Sequence, residues 1–296
     1  MPLLLLVSLI WAFSFGLIKG ELTDLPSPAV AFVRLGVALA VFAPFLRLSI
    51  LRASDAARLL ITGAVQYGLM YVAYIHAFNY LMAYEVALFT VFTPIYVAVI
   101  NDLFERRISF VSLAAGALAA VGGVIIEYRQ IGSPELWRGF LLMQGANLCF
   151  AFGQIFYRRT MARMPETHAD IRVFGLLYLG ASIAAALAAF ETPWAALVIT
   201  SKQAGILLYL GVIASGLGFF LWNIGARRVS SGTLAVFNNL KIPLGILVSV
   251  LFFGERADWP RLLGGGALMA LALAVNALKK RTNSPADQNK QASRLT

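Results

Sequence analysis

Charge is scarce in this sequence. Only 13% of its 296 residues are Asp, Glu, Lys or Arg, 60% are hydrophobic, and mean hydropathy is +0.79. A soluble domain carries about a quarter charged residues and about 45–50% apolar ones, so a soluble chain is excluded. Cysteine is nearly missing. Cys149 stands alone, which rules out an intrachain disulfide and, with no ligand pattern beside it, a thiolate metal site. It reads as a small packing residue. Histidine is limited to His76 and His168, and neither falls in the middle of an apolar run. Acidic side chains also avoid those middles, which argues against proton relay through a central Asp or Glu. The sequence has no Gly-rich phosphate loop, so direct ATP drive within the chain is excluded, and no cofactor is expected.

What is present is a series of long uncharged runs bounded by Arg or Lys, such as LAAGALAAVGGVII and LLGGGALMALALAVNAL. Runs of this kind are how membrane-spanning helices read. Counted at ~20 residues each, they predict ten spans, at 2–18, 29–46, 58–80, 84–101, 108–126, 138–157, 171–190, 204–224, 231–253 and 260–278. The first run has no basic segment before it and is followed by a further span. It therefore reads as a retained helix rather than a signal peptide. The segment 279–296, KKRTNSPADQNKQASRLT, reads as a disordered polar tail.

A net charge of +10 is of the kind nucleic-acid binders carry, but its placement says otherwise. Of the 24 Lys and Arg residues, sixteen fall on the side that holds the N-terminus if that end is cytoplasmic, and six fall on the other. Arg34 and Lys241 lie within spans. That bias is the positive-inside signature. It predicts both termini in the cytoplasm and a multi-pass protein of the inner (plasma) membrane, and it removes nucleic acid as a partner.

The chain also repeats itself. AAGALAA at 114–120 aligns with GGGALMA at 264–270, and LFERR at 103–107 aligns with FFGER at 252–256. Pro94 sits over Pro243, WAFSFG at 11–16 over FAFGQI at 150–155, and AFVRLG at 31–36 over DIRVFG at 170–175. The matches keep their order along both halves. Each half holds five spans, an odd number, so the second enters the membrane inverted. The expected architecture is an all-α polytopic membrane protein of ten transmembrane helices, arranged as two inverted five-helix repeats. The first repeat spans 1–127 and the second 128–278. Inverted repeats typically form secondary transporters whose site lies near the bilayer midplane.

Ten spans in two halves, WAFSFG in the first span, and a proline in the fourth and ninth followed by LFER and FFGER resemble the EamA-like drug/metabolite transporters. The resemblance covers residues 2–278. FFGER is its most specific block, and LFERR lacks the glycine of the second copy. The resemblance implies an inner-membrane carrier of small organic solutes, often an exporter of amino acids or related metabolites.

Candidate site residues follow from depth and spacing. Lys241, in VFNNLKIP, lies ~15 Å into the ninth span, near the middle of a ~30 Å hydrocarbon core. A charge there costs at least ~2.5–3.5 kcal/mol on insertion scales and usually faces a cavity or a partner. An ion pair or backbone carbonyls are the plainer explanation. Asn238 shares its face, and Pro243 can free a carbonyl near Asn239. Together these make a seat for a carboxylate-bearing solute. Gln144, Asn147 and Gln154 share one face of the sixth span with Arg158, although amides often only join helices. The third span carries an aromatic stripe of Tyr67, Tyr71, Tyr74 and Phe78, and the first adds Trp11. His76 and Glu85 are expected at the outer ends of the third and fourth spans as gating or proton-linked groups; Glu85 also suits a helix N-terminus. Arg34 can either snorkel to the surface or face a substrate carboxylate.

The expected function is a secondary transporter, working by alternating access on small carboxylate-bearing or zwitterionic metabolites such as amino acids. A carrier of cationic amines or drugs is the alternative, and Lys241 speaks against it. An intramembrane enzyme ranks lower, for want of a nucleophile or acid–base cluster. The expected partners are the solute and the lipid bilayer, and a homodimer is compatible with this reading.

Overall fold

The computed structural model describes residues 2–106, 133–164, 170–228 and 231–255, with isolated positions among 114–125 and 258–274. Eight long helices run through these segments. They are α1 (Pro2–Glu21), α2 (Ser27–Phe42), α3 (Ala53–Ala77), α4 (Ala83–Phe104), α5 (Pro134–Ala162), α6 (Asp170–Ala188), α7 (Ser201–Arg227) and α8 (Ser231–Phe253). Seven are apolar and long enough to cross a membrane, and α8 is apolar over Leu240–Phe253. They coincide with eight of the expected spans. The expected spans at 108–126 and 260–278, the tail from Lys279, and His168 lie outside the described residues apart from isolated positions.

The helix ends follow local chemistry. At α5, Ser133 caps the first turn through its hydroxyl and Pro134 follows, where a missing N–H costs nothing. At α7, Thr200 and Gln203 form a capping box. The third helix begins at Ala53, five residues before the expected span, because Asp55 and Arg58 pair across one turn at 3.1 Å and the helix continues through them. Charge marks where the apolar run stops, not where the helix does.

Small residues bring the helices together. At Gly63 of α3, a Cβ would fall on the Leu177 carbonyl oxygen of α6, and at Gly180 of α6 it would fall on the Leu60 carbonyl of α3. The two backbones touch at these points, as small residues permit between helices in lipid, where burial of apolar area drives little. Around this contact Phe42, Phe174, Tyr178 and Phe220 pack ring to ring at 5.1–5.4 Å. Gly16 of α1 receives the ring of Phe253 from the end of α8.

Two helices are wound loosely in their middles. Residues Ala64–Leu69 of α3 and Leu210–Leu217 of α7 form π-helical segments, a feature frequent at functional sites. In α7 the carbonyls so displaced are taken up by neighbours. Trp11 donates to the Ala214 carbonyl at 3.0 Å, and Tyr178 donates to those of Ser215 and Gly216 at 2.6 and 3.0 Å.

The FFGER block has a structural task. Gly254, at φ +67°, turns the chain at the end of α8. Glu255 then accepts hydrogen bonds from the backbone N–H groups of Ala83 and Tyr84 at 2.8 and 3.0 Å. Those donors begin α4 and have no partner within the helix. Glu255→Ala is expected to cost about 1 kcal/mol, the worth of a helix cap, read as a lower melting temperature of the purified protein. An unchanged melting temperature would show that the cap contributes nothing in solution.

Candidate functional site

One cavity gathers six of the candidate site residues singled out from the sequence. It is lined by Trp11, Ser14 and Phe15 of α1, Arg34 of α2, and Met70, Tyr71 and Tyr74 of α3. Thr90 and Thr93 of α4, Met143, Ala146, Asn147 and Phe150 of α5, Phe219 of α7 and Lys241 of α8 complete it. Its empty volume, including the part open to solvent, is about 550 Å³.

Lys241 is the eleventh of the 23 residues of α8 and is 5% exposed. Its ammonium stands 5.4 Å from the Trp11 ring centre and 5.7 Å from that of Phe150. Among the described residues no carboxylate pairs with it and no acceptor hydrogen-bonds it. The rings offer their negative faces, which compensates a buried charge only in part.

Arg34 does not snorkel. It is 1% exposed, and its Nη2 donates to the Tyr71 hydroxyl at 3.0 Å and the Ser215 hydroxyl at 3.1 Å. Those two hydroxyls lie 3.0 Å apart, and the guanidinium carbon sits 4.5 Å from the Tyr71 ring centre. The π-helical turn of α7 places Ser215 there. Two buried cations thus line one cavity, and among the described residues its lining holds no acidic side chain.

The polar lining on α4 and α5 is braced. Pro94 follows a tight 3-10 turn at Thr90–Phe92. The Asn147 side chain reaches across to that turn, donating to the Phe89 carbonyl at 2.8 Å and accepting from Thr93 at 3.1 Å. Gln144 accepts from Tyr96 at 3.1 Å, so its carbonyl joins α4 to α5 beside the cavity rather than inside it.

Six of the expected site residues therefore meet at the cavity: Trp11, Arg34, Tyr71, Tyr74, Asn147 and Lys241. Others do not. Asn238 is 2% exposed with an unbonded Oδ1, and Gln154 is 7% exposed with both amide atoms unbonded; neither lines the cavity. Asn239 falls on α8, with its side chain outside the described residues. His76 and Glu85 sit at helix ends. The His76 ring lies 3.2 Å from the Asn79 amide, and Glu85 accepts from the Met82 N–H at 2.7 Å as a capping-box acid. Tyr67 packs into the protein interior, stacked 5.5 Å from Tyr178 and bonded to Asn223. The sequence reading missed Thr90, Thr93, Phe150 and Phe219. The threonines, spaced by three just before Pro94, offered a signal. The two phenylalanines offered none, since an apolar helix does not announce which ring faces a cavity.

A family model described as the EamA-like transporter family matches residues 1–128 and 137–277. The chain belongs to the EamA-like transporter family. Like its EamA-like relatives, it is a multi-pass membrane transporter of the drug/metabolite type. A Pseudomonas aeruginosa protein named "Probable biotin transporter" is 40% identical over 95% of this chain and 99% of its own length. The Escherichia coli "Biotin transporter" is 36% identical over 98% of each chain. A Salmonella typhimurium "Probable amino-acid metabolite efflux pump" is 27% identical over 62% of this chain and 63% of its own. One crystal structure superimposes with a TM-score of 0.68 at 20% identity, covering 93% of this EamA-like chain and 96% of the other. At that identity the likeness shows the fold.

Proposed function

We propose that this EamA-like protein is a secondary transporter of biotin or a closely biotin-like carboxylate, moved by alternating access through the cavity described above. The observation that carries the reading is Lys241: a buried cation at the middle of α8, set among aromatic rings and with no acceptor among the described residues. A solute carboxylate would supply that acceptor, and charge-assisted hydrogen bonds of this kind are roughly twice as strong as neutral ones. Trp11, Phe150 and Phe219 would pack against the apolar part of the solute. The biotin transporters named above are consistent with a monocarboxylate on an apolar chain.

The charge balance of the lining weighs against zwitterionic amino acids and against amines. An amino acid brings an ammonium group that needs an acid, and the described lining presents two cations and no acid. Cationic drugs meet the same repulsion.

Two five-helix halves, 1–127 and 128–278, in inverted orientation within the inner membrane and with both termini cytoplasmic, form the frame of this reading. It is supported by the separate family matches to each half, by the π-helical segments in both α3 and α7, and by the prolines of α4 and α8.

Binding decides the matter before flux does. Biotin should raise the melting temperature of the detergent-purified protein with concentration, by RT ln(1 + [L]/Kd) in stability, while amino acids and amines should not. Labelled biotin should then exchange into proteoliposomes preloaded with unlabelled biotin. If amino acids or amines stabilise the protein and biotin does not, this reading is wrong.

A further inference from the structure

The second cation of the cavity also has unfilled hydrogen-bonding capacity. Arg34 commits Nη2 to Tyr71 and Ser215, but its Nε and Nη1 are buried with no partner among the described residues. Buried donors are nearly always satisfied, and an exception calls for an explanation. Here the unbonded groups belong to a residue that lines the cavity, so an acceptor on the solute would satisfy them.

The two cations are joined by a continuous run of rings. Lys241 stands over Trp11 at 5.4 Å. The Trp11 and Phe219 ring centres are 4.9 Å apart, and those of Phe219 and Tyr71 are 5.8 Å apart. Arg34 then stands over Tyr71 at 4.5 Å. The cavity therefore carries two cations linked through a run of three rings drawn from α1, α7 and α3. A simple fatty carboxylate serves one cation of such a site and leaves the other unserved.

We infer that Arg34 is a specificity-determining residue. It receives a neutral acceptor at the far end of the solute from its carboxylate, which in biotin is the ureido carbonyl. The ring floor lies beneath the apolar chain and fused ring between the two ends. This rests on the biotin reading and deepens it. The assignment of ends follows from how each charge is already served. Arg34 donates to two hydroxyl oxygens and lies on a ring face, whereas Lys241 has only ring faces among the described residues. The site's stronger demand for an anion is at Lys241, and the partly satisfied guanidinium suits an uncharged carbonyl. The guanidinium is also fixed in advance. Ser215 holds it, and Tyr178, donating to the Ser215 and Gly216 carbonyls, anchors the loosened turn that carries Ser215, so little ordering remains to be done on binding.

The test uses the full-length purified protein and three probes, read by titration calorimetry. Biotin carries both ends, biotinol keeps the ureido group but has an alcohol for the carboxylate, and heptanoate keeps the carboxylate and chain only. The parent should bind biotin tightest. Arg34→Gln should weaken biotin by about tenfold to a hundredfold, the range for hydrogen bonds to a charged group, and should leave heptanoate unchanged. Its preference for biotin over heptanoate should then disappear. Arg34→Lys keeps the buried charge but not the planar fork. It should lose most of the same preference, and it supplies the reading if the glutamine variant does not fold. If Arg34→Gln weakens heptanoate as much as biotin, Arg34 holds the carboxylate and the inference is overturned. The same follows if either folded variant keeps the parent's full preference for biotin. A parent that binds none of the three overturns the biotin reading and this inference with it.

Discussion

Replacing Lys241 with methionine should abolish biotin binding while making the ligand-free protein more stable. The two effects have one cause. Lys241 is buried and charged, and its nearest compensation is two ring faces more than 5 Å away. A charge held at the centre of a membrane helix costs ~2.5–3.5 kcal/mol on insertion scales. Methionine keeps the length and apolar stem of lysine and removes that cost, so the melting temperature without ligand should rise. With ligand the sign reverses. Truncating one member of a buried charged pair costs ~2–5 kcal/mol or more, or roughly thirtyfold and upwards in affinity. The biotin-dependent rise in melting temperature should vanish, and counterflow of labelled biotin should fall to the level of empty vesicles. A site that strains its own fold in order to bind is a familiar trade between stability and activity. If Lys241→Met instead lowers the melting temperature and still responds to biotin, the lysine is a structural residue and the site lies elsewhere.

The second large effect concerns packing rather than charge. Gly63→Ala adds one methyl group to α3 where the Leu177 carbonyl of α6 already touches the backbone, and Gly180→Ala does the same from the other side against Leu60. A flexible side chain can swing away from such a clash, but a helix backbone cannot. The helices must separate, and their neighbours lose contact with them. Overpacking typically costs ~1–3 kcal/mol and occasionally more, and a clash between two main chains belongs at the upper end. Each variant should lose the sharp monomodal peak on gel filtration and melt well below the parent. Gly36→Ala is the control, since a Cβ there meets nothing within 4 Å. That variant should be neutral or slightly stabilised, because alanine is the better helix former by about 1 kcal/mol. If Gly63→Ala and Gly36→Ala melt alike, α3 and α6 do not pack as closely as described.

The eight described helices, their approximate ends and the burial of Lys241 were readable from the chain alone. The reason is local. A run of about twenty apolar residues has one low-energy arrangement in lipid, because every backbone N–H and C=O must be satisfied within the segment. A lysine at its centre is conspicuous for the same energetic reason. Spacing along one helix put Tyr71 and Tyr74 on a common face and Asn147 among polar neighbours on α5, and all three line the cavity.

Tertiary structure decided which of those faces meet. The Gln144–Asn147–Gln154 stripe is a true periodicity, yet only Asn147 reaches the cavity. Gln144 is drawn off by Tyr96, and Gln154 is buried outside the cavity lining. Arg34 could have reached the surface as far as its own helix was concerned. It stays inside because a widened turn of α7 brings Ser215 to it and α3 brings Tyr71. The floor between the two cations takes Trp11, Phe219 and Tyr71 from three helices that are distant in sequence. Periodicity along one helix shows which residues can be neighbours on that helix. It does not show which helix will lie opposite, since that depends on where glycines let backbones approach and where a π-helical turn rotates a side chain into place.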